Sequence, residues 1–357
     1  MKQIEFYLKN ILLKILVLLN PVSKQSPLPN FDSSSNLLFI RLNRIGDALV
    51  TTPLLYEVKR QFGCNIFVMA DKKNHFVFRN NPSIDEVIVF NKKVKDFFYI
   101  NRIIKYKSID AVIDLHDDVS TTVSFLVALA KVKYKFGLKK SNYTIYSHTV
   151  KKVDPRSHHV IERSLKLAEL FNIKIDYNTA SVKYFPTDHE NQIANNQIKQ
   201  MNPEDKYLIG INISAGSEAR FWGVENFKSL LVFLKDYDAR IIIFCPERDL
   251  HLAKQISEES NIYPVTKSFG IFASAILNLS LLITPDTSIV HIASIKKIPV
   301  FGLYVKYNTE DMIWSPYNTD FECVETIEPT LKNISFLEVK NKLLPFLENH
   351  INVKRYS

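Results

Sequence analysis

The chain alternates, twice over, between strand-length apolar runs and stretches of helical periodicity. In the first half the apolar runs are 37–42, 65–70, 86–90 and 109–115, with a shorter one near 134–137. Helical spacing fills 48–61, 94–106 and 119–131, and resumes over 158–171 after a polar, aromatic stretch at 138–157. In the second half the strand-like runs are 207–213, 240–245, 281–284 and 299–304, and the helical ones 224–236, 248–258, 269–279 and 287–296, with an amphipathic helix at 335–349. Short continuous apolar runs separated by helices predict parallel strands covered on both faces by crossover helices. At 357 residues, two such domains of roughly 150–180 residues each are expected. The polar segment 176–206, with Pro186, Pro203 and a short helical stretch at 188–200, marks the join. The expected organisation is therefore 1–34 as an extension, 35–190 as one domain and 191–357 as the other.

The extension has its own pattern. Ile4, Leu8, Ile11, Leu12, Ile15, Leu18 and Leu19 recur at helical spacing, interrupted by Lys2, Lys9 and Lys14 and followed by Lys24. The uninterrupted run after Lys14 extends only from Ile15 to Leu19, far short of the ~20 residues of a spanning helix. No small-residue cleavage site follows, which argues against a signal peptide. The pattern predicts a basic amphipathic helix lying in the cytoplasmic membrane interface, with 22–36 as a polar linker. Its alternative is a helix docked on the protein's own surface. A net charge of +9 and a pI near 9.1 suit a polyanionic partner, but no nucleic-acid-binding signature is present. Cys64, Cys245 and Cys323 are odd in number and far apart, so they predict buried, reduced thiols rather than a disulfide framework or a metal site.

Four turns carry the chemistry. Residues 37–53, LLFIRLNRIGDALVTTP, read as a strand, a tight turn at Gly46, and a helix beginning at Asp47, with Arg41, Asn43 and Arg44 beside it. Ligands of α/β proteins bind at the carboxyl ends of strands, so this turn places a carboxylate and cations at a site mouth. Asp47 can serve as a general base or as a helix cap. Residues 212–225, NISAGSEARFWGVE, lie between a strand and a helix, and Ser214, Gly216, Ser217 and Arg220 can cradle an anion. In TPDTSIVH at 284–291, Asp286, Thr287 and Ser288 again sit between strand and helix, and His291 lies four residues beyond Thr287 on the same helical face. These residues can hold a diphosphate, or Asp286 and Thr287 can cap a helix while His291 sits in the core. Glu247 ends another strand and can accept from sugar or ribose hydroxyls, or simply complement a helix dipole. Asp114, Asp117 and Asp118 around His116 can shape an acceptor pocket or cap the next helix. His158 and His159 stand as a pair at a helix start and can be functional, or a solvent-exposed or capping pair.

Some chemistry is excluded. No G-x-G-x-x-G and no P-loop is present, and there is no C-x-x-C or H-E-x-x-H. Asp236-Tyr237-Asp238 matches a D-x-D but falls at a helix end before a strand, where a solvated turn is expected.

Three of these turns, in order, resemble glycosyltransferase family 9, which contains the heptosyltransferases of bacterial lipopolysaccharide core synthesis. Arg41-Leu42, Gly46-Asp47, Leu49 and Thr51-Thr52-Pro53 resemble its opening motif. Arg220-Phe221-Trp222-Gly223 resembles its Lys/Arg-x-Trp-Pro, with Gly223 in place of Pro. Asp286-Thr287-Ser288 with His291 resembles D-T-G-x-x-H, with Ser288 in place of Gly. The resemblance spans about 37–349. It implies an α/β, GT-B architecture: two Rossmann-like lobes with parallel sheets and an interlobe cleft, the acceptor lobe first and the donor lobe second. It implies inverting transfer from a nucleotide-diphosphate sugar, most closely ADP-heptose, to a lipid-linked oligosaccharide acceptor such as the lipopolysaccharide core, without an essential metal or other cofactor. Under it Asp47 is the catalytic base. Ser214, Gly216, Ser217, Arg220, Glu247, Asp286, Thr287, Ser288 and His291 bind the donor, and Arg41, Arg44, Asp117 and His159 face the acceptor. The expected location is cytoplasmic, peripheral on the inner face of the bacterial inner membrane through residues 1–20. Another nucleotide sugar, a non-catalytic two-lobed binding protein, or an epimerase of the same shape are the competing readings.

Overall fold

The computed structural model describes residues 11–18, 20–22, 27–214 and 216–351. Ile4, Leu8, Leu19, Lys2, Lys9 and Lys24 of the expected N-terminal helix lie outside the described residues. The chain divides into two compact units, Met1–Tyr184 and Phe185–Ser357.

In the first unit helix α1 (residues 11–18) precedes β1 (Asn36–Ile40), α2 (Ile45–Leu49), α3 (Thr52–Phe62), β2 (Asn65–Asp71), α4 (His75–Phe78), β3 (Glu86–Phe90) and α5 (Val94–Tyr106). Then come β4 (Ala111–Asp114), α6 (Thr121–Leu129), β5 (Tyr134–Leu138), β6 (His148–Val150) and α7 (Val160–Leu165), continued by a 3-10 turn at Lys166–Phe171. Among the described residues the sheet has six strands in the order β3-β2-β1-β4-β5-β6, every pair parallel. Strand β1 lies inside it, Leu38 opposite Phe67 on one side and Val112 on the other. Its continuous apolar sequence follows from that place. Leu38 and Ile40 face a core with Ile100, Ile103 and Ile104 of α5 and Val123 and Leu126 of α6. Phe39 points the other way and stacks 6.2 Å from Phe171. Strand order reverses between β1 and β4, which makes the crevice beyond their carboxyl ends the binding position of such a sheet.

The helix expected over 48–61 is two helices. Pro53 has no N–H to extend α2, and the Thr51 and Thr52 hydroxyls take the carbonyls of Ala48 and Leu49 at 2.8 and 2.7 Å. The special backbone of the preceding turn belongs to Asn43, at φ +82°, whereas Gly46 lies inside α2. Strand β6 was not expected, because three residues on a sheet edge leave no periodic signal in 138–157.

The second unit contains α8 (Asp188–Met201), β7 (Tyr207–Asn212), a 3-10 turn at Glu218–Arg220, α9 (Val224–Leu234), β8 (Ala239–Phe244) and α10 (Leu250–Ile256). It continues with α11 (Phe269–Ile276), β9 (Leu281–Pro285), α12 (Ile289–Ile295), β10 (Val300–Val305), β11 (Phe321–Thr326) and α13 (Phe336–Glu348). Its sheet order is β11-β10-β9-β7-β8, again parallel throughout, with the reversal between β7 and β9. Strand β11 also escaped expectation, since Glu322 and Glu325 interrupt its apolar pattern. Trp222 anchors this unit: it is buried, donates Nε1–H to the Ile334 carbonyl at 2.8 Å, and meets Phe227 edge-on at 5.3 Å. Gly223 then caps α9 at φ +108°, a backbone that proline, fixed near −65°, cannot adopt.

A buried polar cluster closes the end of β4. Asp114 Oδ2 accepts from Lys140 Nζ at 2.7 Å and from the Tyr146 hydroxyl at 2.5 Å. Its Oδ1 accepts the His116 backbone N–H at 2.9 Å and lies 2.8 Å from His116 Nδ1. The other ring nitrogen, Nε2, accepts the Leu42 N–H at 3.3 Å, so the proton sits on Nδ1. Burial alone would raise Asp114, but the Lys140 ammonium and His116 hold it well below the usual carboxylate range. Burial pushes His116 down despite Asp114, which keeps the ring neutral. Burial likewise pushes the Cys64 and Cys245 thiols up to about 11 and Cys323 to about 12, and none of the three is in a disulfide.

Two outcomes follow from these contacts. A group kept neutral by a depressed pKa, as His116 is, stabilises fully above its unfolded value of 6.5 and loses that stabilisation as pH falls toward the folded value. Asp114 adds a second loss below 3.8. Thermal melting should therefore fall as pH drops below 6.5, and His116→Gln should flatten the part between 6.5 and 3.8 while lowering stability overall. In the second unit, Gly223→Ala should cost about 1 kcal/mol or more in urea unfolding, and Gly223→Pro should cost more, although proline is what the family motif carries there.

Candidate active site

The turn after β1 is hung from both neighbouring strands. Arg41 is buried, and its guanidinium forks three ways: Nη1 donates to the Leu115 carbonyl at 3.0 Å, Nε to the Asp47 carbonyl at 3.1 Å, and Nη2 to Asp47 Oδ1. On the β2 side, Asn74 Nδ2 donates to the Arg41 carbonyl at 3.2 Å and Asp71 Oδ2 accepts the Asn43 N–H at 3.1 Å. Lys92 reaches the same Asp71 oxygen at 2.7 Å and Asn43 Oδ1 at 2.9 Å. His116 holds Leu42 from the β4 side. Burial pulls Arg41 down from its ordinary value, and the carboxylates of Asp47 and Asp114 oppose that pull. Asp47 itself is in the first turn of α2, whose N-cap is Arg44, and its side chain makes no capping bond. Its second oxygen, Oδ2, has no hydrogen bond among the described residues. The result is a partly exposed carboxylate of fixed direction at the switch point of the sheet.

The other acceptor-side residues gather nearby. Asp117 follows β4 and meets Lys152 at 2.9 Å and Arg163 of α7 at 2.7 Å. It does not cap α6, whose N-cap is Ser120. His159 is the N-cap of α7: its Nδ1 accepts the Ile161 N–H at 3.3 Å, and its own backbone N–H goes to Glu162 at 3.2 Å. The Arg163–Asp117 pair thus ties the β4 loop to the helix that His159 begins. Arg44 is exposed, and Arg41 is enclosed as the partner of Asp47.

The second unit assembles its set at the ends of β7 and β9. Asn212 links them, donating Nδ2–H to the Ser214 carbonyl at 2.8 Å and to Thr284 Oγ1 at 3.0 Å while accepting the Ser214 N–H at 3.2 Å. Thr284 Oγ1 lies 3.5 Å from Thr287 Oγ1. Arg220 Nη1 stands 3.1 Å from Asp286 Oδ2 and 3.4 Å from its carbonyl, joining the two loops. Ser214 Oγ is buried with no partner among the described residues, an arrangement that costs stability unless something else fills it. Gly216 opens onto space: a Cβ there would meet nothing within 4 Å. Ser217 is the exposed residue before the 3-10 turn, and Ser288 is the N-cap of α12. His291 is buried in the first turn of α12, its ring 6.0 Å from that of Trp314. Glu247 is exposed after β8, the strand beside β7.

Ser214, Arg220, Asp286 and Thr287 therefore share one corner, with His291 one turn inside α12. The bonds that position them come mostly from residues that were not singled out as candidates. Asn212 and Thr284 sit at strand ends 72 residues apart, and Lys140 lies 26 residues from Asp114. Asp71 did leave a sign, as an acid closing an apolar strand.

Comparison with known proteins agrees with this architecture. The family model for glycosyltransferase family 9 (heptosyltransferase) matches residues 98–343. The chain is similar to the lipopolysaccharide core heptosyltransferase OpsX of Haemophilus influenzae, 21% identical over 301 residues, covering 80% of this chain and 83% of that protein. It is similar to lipopolysaccharide heptosyltransferase 3 of Escherichia coli, 21% identical over 77% of this chain and 84% of the relative. Among solved structures, a family 9 glycosyl transferase from Veillonella parvula superposes with a TM-score of 0.76 at 20% identity, covering 91% of this chain and all (100%) of the other. Escherichia coli heptosyltransferase WaaC with ADP superposes at 0.67, 16% identical, over 88% of this chain and 97% of that one. These likenesses show two Rossmann-like units of the GT-B fold. With the family matched from α5 to α13, the chain belongs to glycosyltransferase family 9 and is a glycosyltransferase.

Proposed function

We propose that this enzyme transfers heptose from ADP-heptose, with inversion, to a lipopolysaccharide core or related cell-surface glycan on the inner face of the bacterial inner membrane. Residues 35–190 take the acceptor, 191–357 take the donor, and 1–34 meet the membrane surface. The single observation that carries the reading is the Asp47 carboxylate, held by Arg41 at the switch point of the first sheet with Oδ2 left over.

The acceptor oxygen attacks the anomeric carbon, and its proton passes to Asp47 Oδ2. The bond from that carbon to the diphosphate oxygen breaks as the new bond forms, and the nucleotide diphosphate leaves with the electron pair. Its added negative charge needs fixed donors. Ser214 Oγ, the backbone at Gly216 and Ser217, Thr287, Ser288 and His291 are suited to supply them. Arg220 would exchange part of its contact with Asp286 for a phosphate oxygen, which brings its positive charge onto the leaving group. Glu247 is assigned to sugar or ribose hydroxyls, and Arg44, Asp117 and His159 to the acceptor. The heptosyltransferase relatives named for lipopolysaccharide and its core and the WaaC complex with ADP support the choice of donor and acceptor. Ser288, where the motif has glycine, favours a second reading in which another nucleotide sugar is the donor.

A thermal-shift panel of ADP-, GDP-, UDP- and CMP-linked sugars tests the donor: ADP-heptose should give the largest stabilisation, and a larger shift with another nucleotide would establish the second reading. Asp47→Asn should keep that shift yet lower transfer about 10²–10⁴-fold, the usual worth of a positioned base; unchanged transfer would refute its role and point to a binding protein. Arg41→Lys keeps the charge but loses the planar spread of donors over three nitrogens, and should reduce kcat about 10-fold or more with little change in donor KM.

A further inference from the structure

Helix α1 is attached to the first unit by one face only. Leu13, Leu16 and Val17 pack against the core cluster that α5 and α6 build on one side of the sheet, beside Phe97, Leu129 and Val132. Ile11, Leu12, Ile15 and Leu18 remain exposed, Leu18 at 79%. Helix α5 is also two-faced. Ile100, Ile103 and Ile104 enter the same core, whereas Phe98, Tyr99 and Tyr106 are exposed at 66%, 51% and 81%. Lys95, Arg102 and Lys105 alternate with these aromatics at helical spacing along the outer face. Lys14 on α1 and Lys131 and Lys133 beyond α6 are exposed too.

We propose that α1 and the outer face of α5 together form a docking surface for an anionic lipid bilayer. It deepens the reading above by naming the surface that would present the enzyme to a lipid-linked acceptor. Charge complementarity selects this occupant. Among the described residues, Lys14, Lys95, Arg102 and Lys105 make no ion pair. The acid of α5, Asp96, is turned back onto the Asn91 and Lys93 N–H groups, each at 3.2 Å, and so does not offset them. Exposed aromatics among lysines suit the headgroup region, where rings sit at the boundary and ammonium groups reach lipid phosphates. A protein partner would be met by an interface core depleted of lysine, the reverse of this face. No described helix is long and apolar enough to cross a membrane, so attachment by this surface is shallow.

The test is flotation of the full chain with phosphatidylcholine vesicles with and without phosphatidylglycerol, at low and high salt and with no sugar substrate present. The original chain should bind the phosphatidylglycerol vesicles and release from them as salt rises. The quadruple variant Phe98→Gln, Tyr99→Gln, Arg102→Gln, Lys105→Gln alters only exposed positions, which thermal melting checks. Its binding should fall at least about tenfold, while Val232→Gln on the exposed face of α9 should bind as the original does. Equal binding to both vesicle types, no binding at all, or variant binding within about twofold of the original would overturn the proposal. So would a variant that only breaks a dimer, seen by sedimentation, and keeps its vesicle affinity. Because no transfer is measured, the docking surface and the proposed reaction can fail separately.

Discussion

A guanidinium taken out of water forfeits stability unless its N–H groups find acceptors, and Arg41 places three of its five by joining the ends of β1 and β4 to the first turn of α2. Its forked donors reach the main chain after β4 and both the carbonyl and carboxylate of Asp47. A lysine would supply charge without the geometry. The outcome is a partly exposed carboxylate whose direction is decided by its buried partner Arg41. The Asp114, Lys140, Tyr146 and His116 cluster serves the same end from beneath, because its imidazole takes the Leu42 N–H and fixes the strand exit.

The second unit reaches a comparable result with a neutral amide and one ion pair. Asn212 spans from β7 to β9 with both ends of its amide, and Arg220 closes the corner through Asp286. Each set sits where strand order reverses, since crossover connections leave in opposite directions there and vacate the space between two helix N-terminal ends. The Ser214 hydroxyl, buried without a partner among the described residues, belongs to that vacated space. In both units the same topology therefore makes the room, and different side chains decide what can occupy it.

Much of this could be read from the residues in order. The strands from β1 to β5 and from β7 to β10 stood out as short, nearly unbroken apolar runs, and α5 matched its expected limits. Of the four edge strands, β3 and β8 keep apolar runs and were legible, whereas β6 is only three residues long and β11 is interrupted by Glu322 and Glu325. At the first turn the expected conformational pivot was Gly46, yet the left-handed residue is Asn43, whose side-chain oxygen meets Lys92. Helix α1 posed a choice between membrane and self-docking, and the structure shows one face packed on the first unit through Leu13, Leu16 and Val17 while Leu18 is exposed.

Local order along the chain was enough to establish an α/β protein in two halves, the three motif-bearing turns and the family they resemble. Hydrophobic periodicity and turn chemistry act over a few residues, and that is the range a sequence displays directly. The roles of Arg41 as the partner that aims Asp47, of Asn212 as the tie between two loops, and of Lys140 as the counter-ion of a buried acid were decided only by the tertiary structure. Those depend on which strands become neighbours, and hydrogen bonds between residues 26 to 74 positions apart leave no mark on the sequence that makes them.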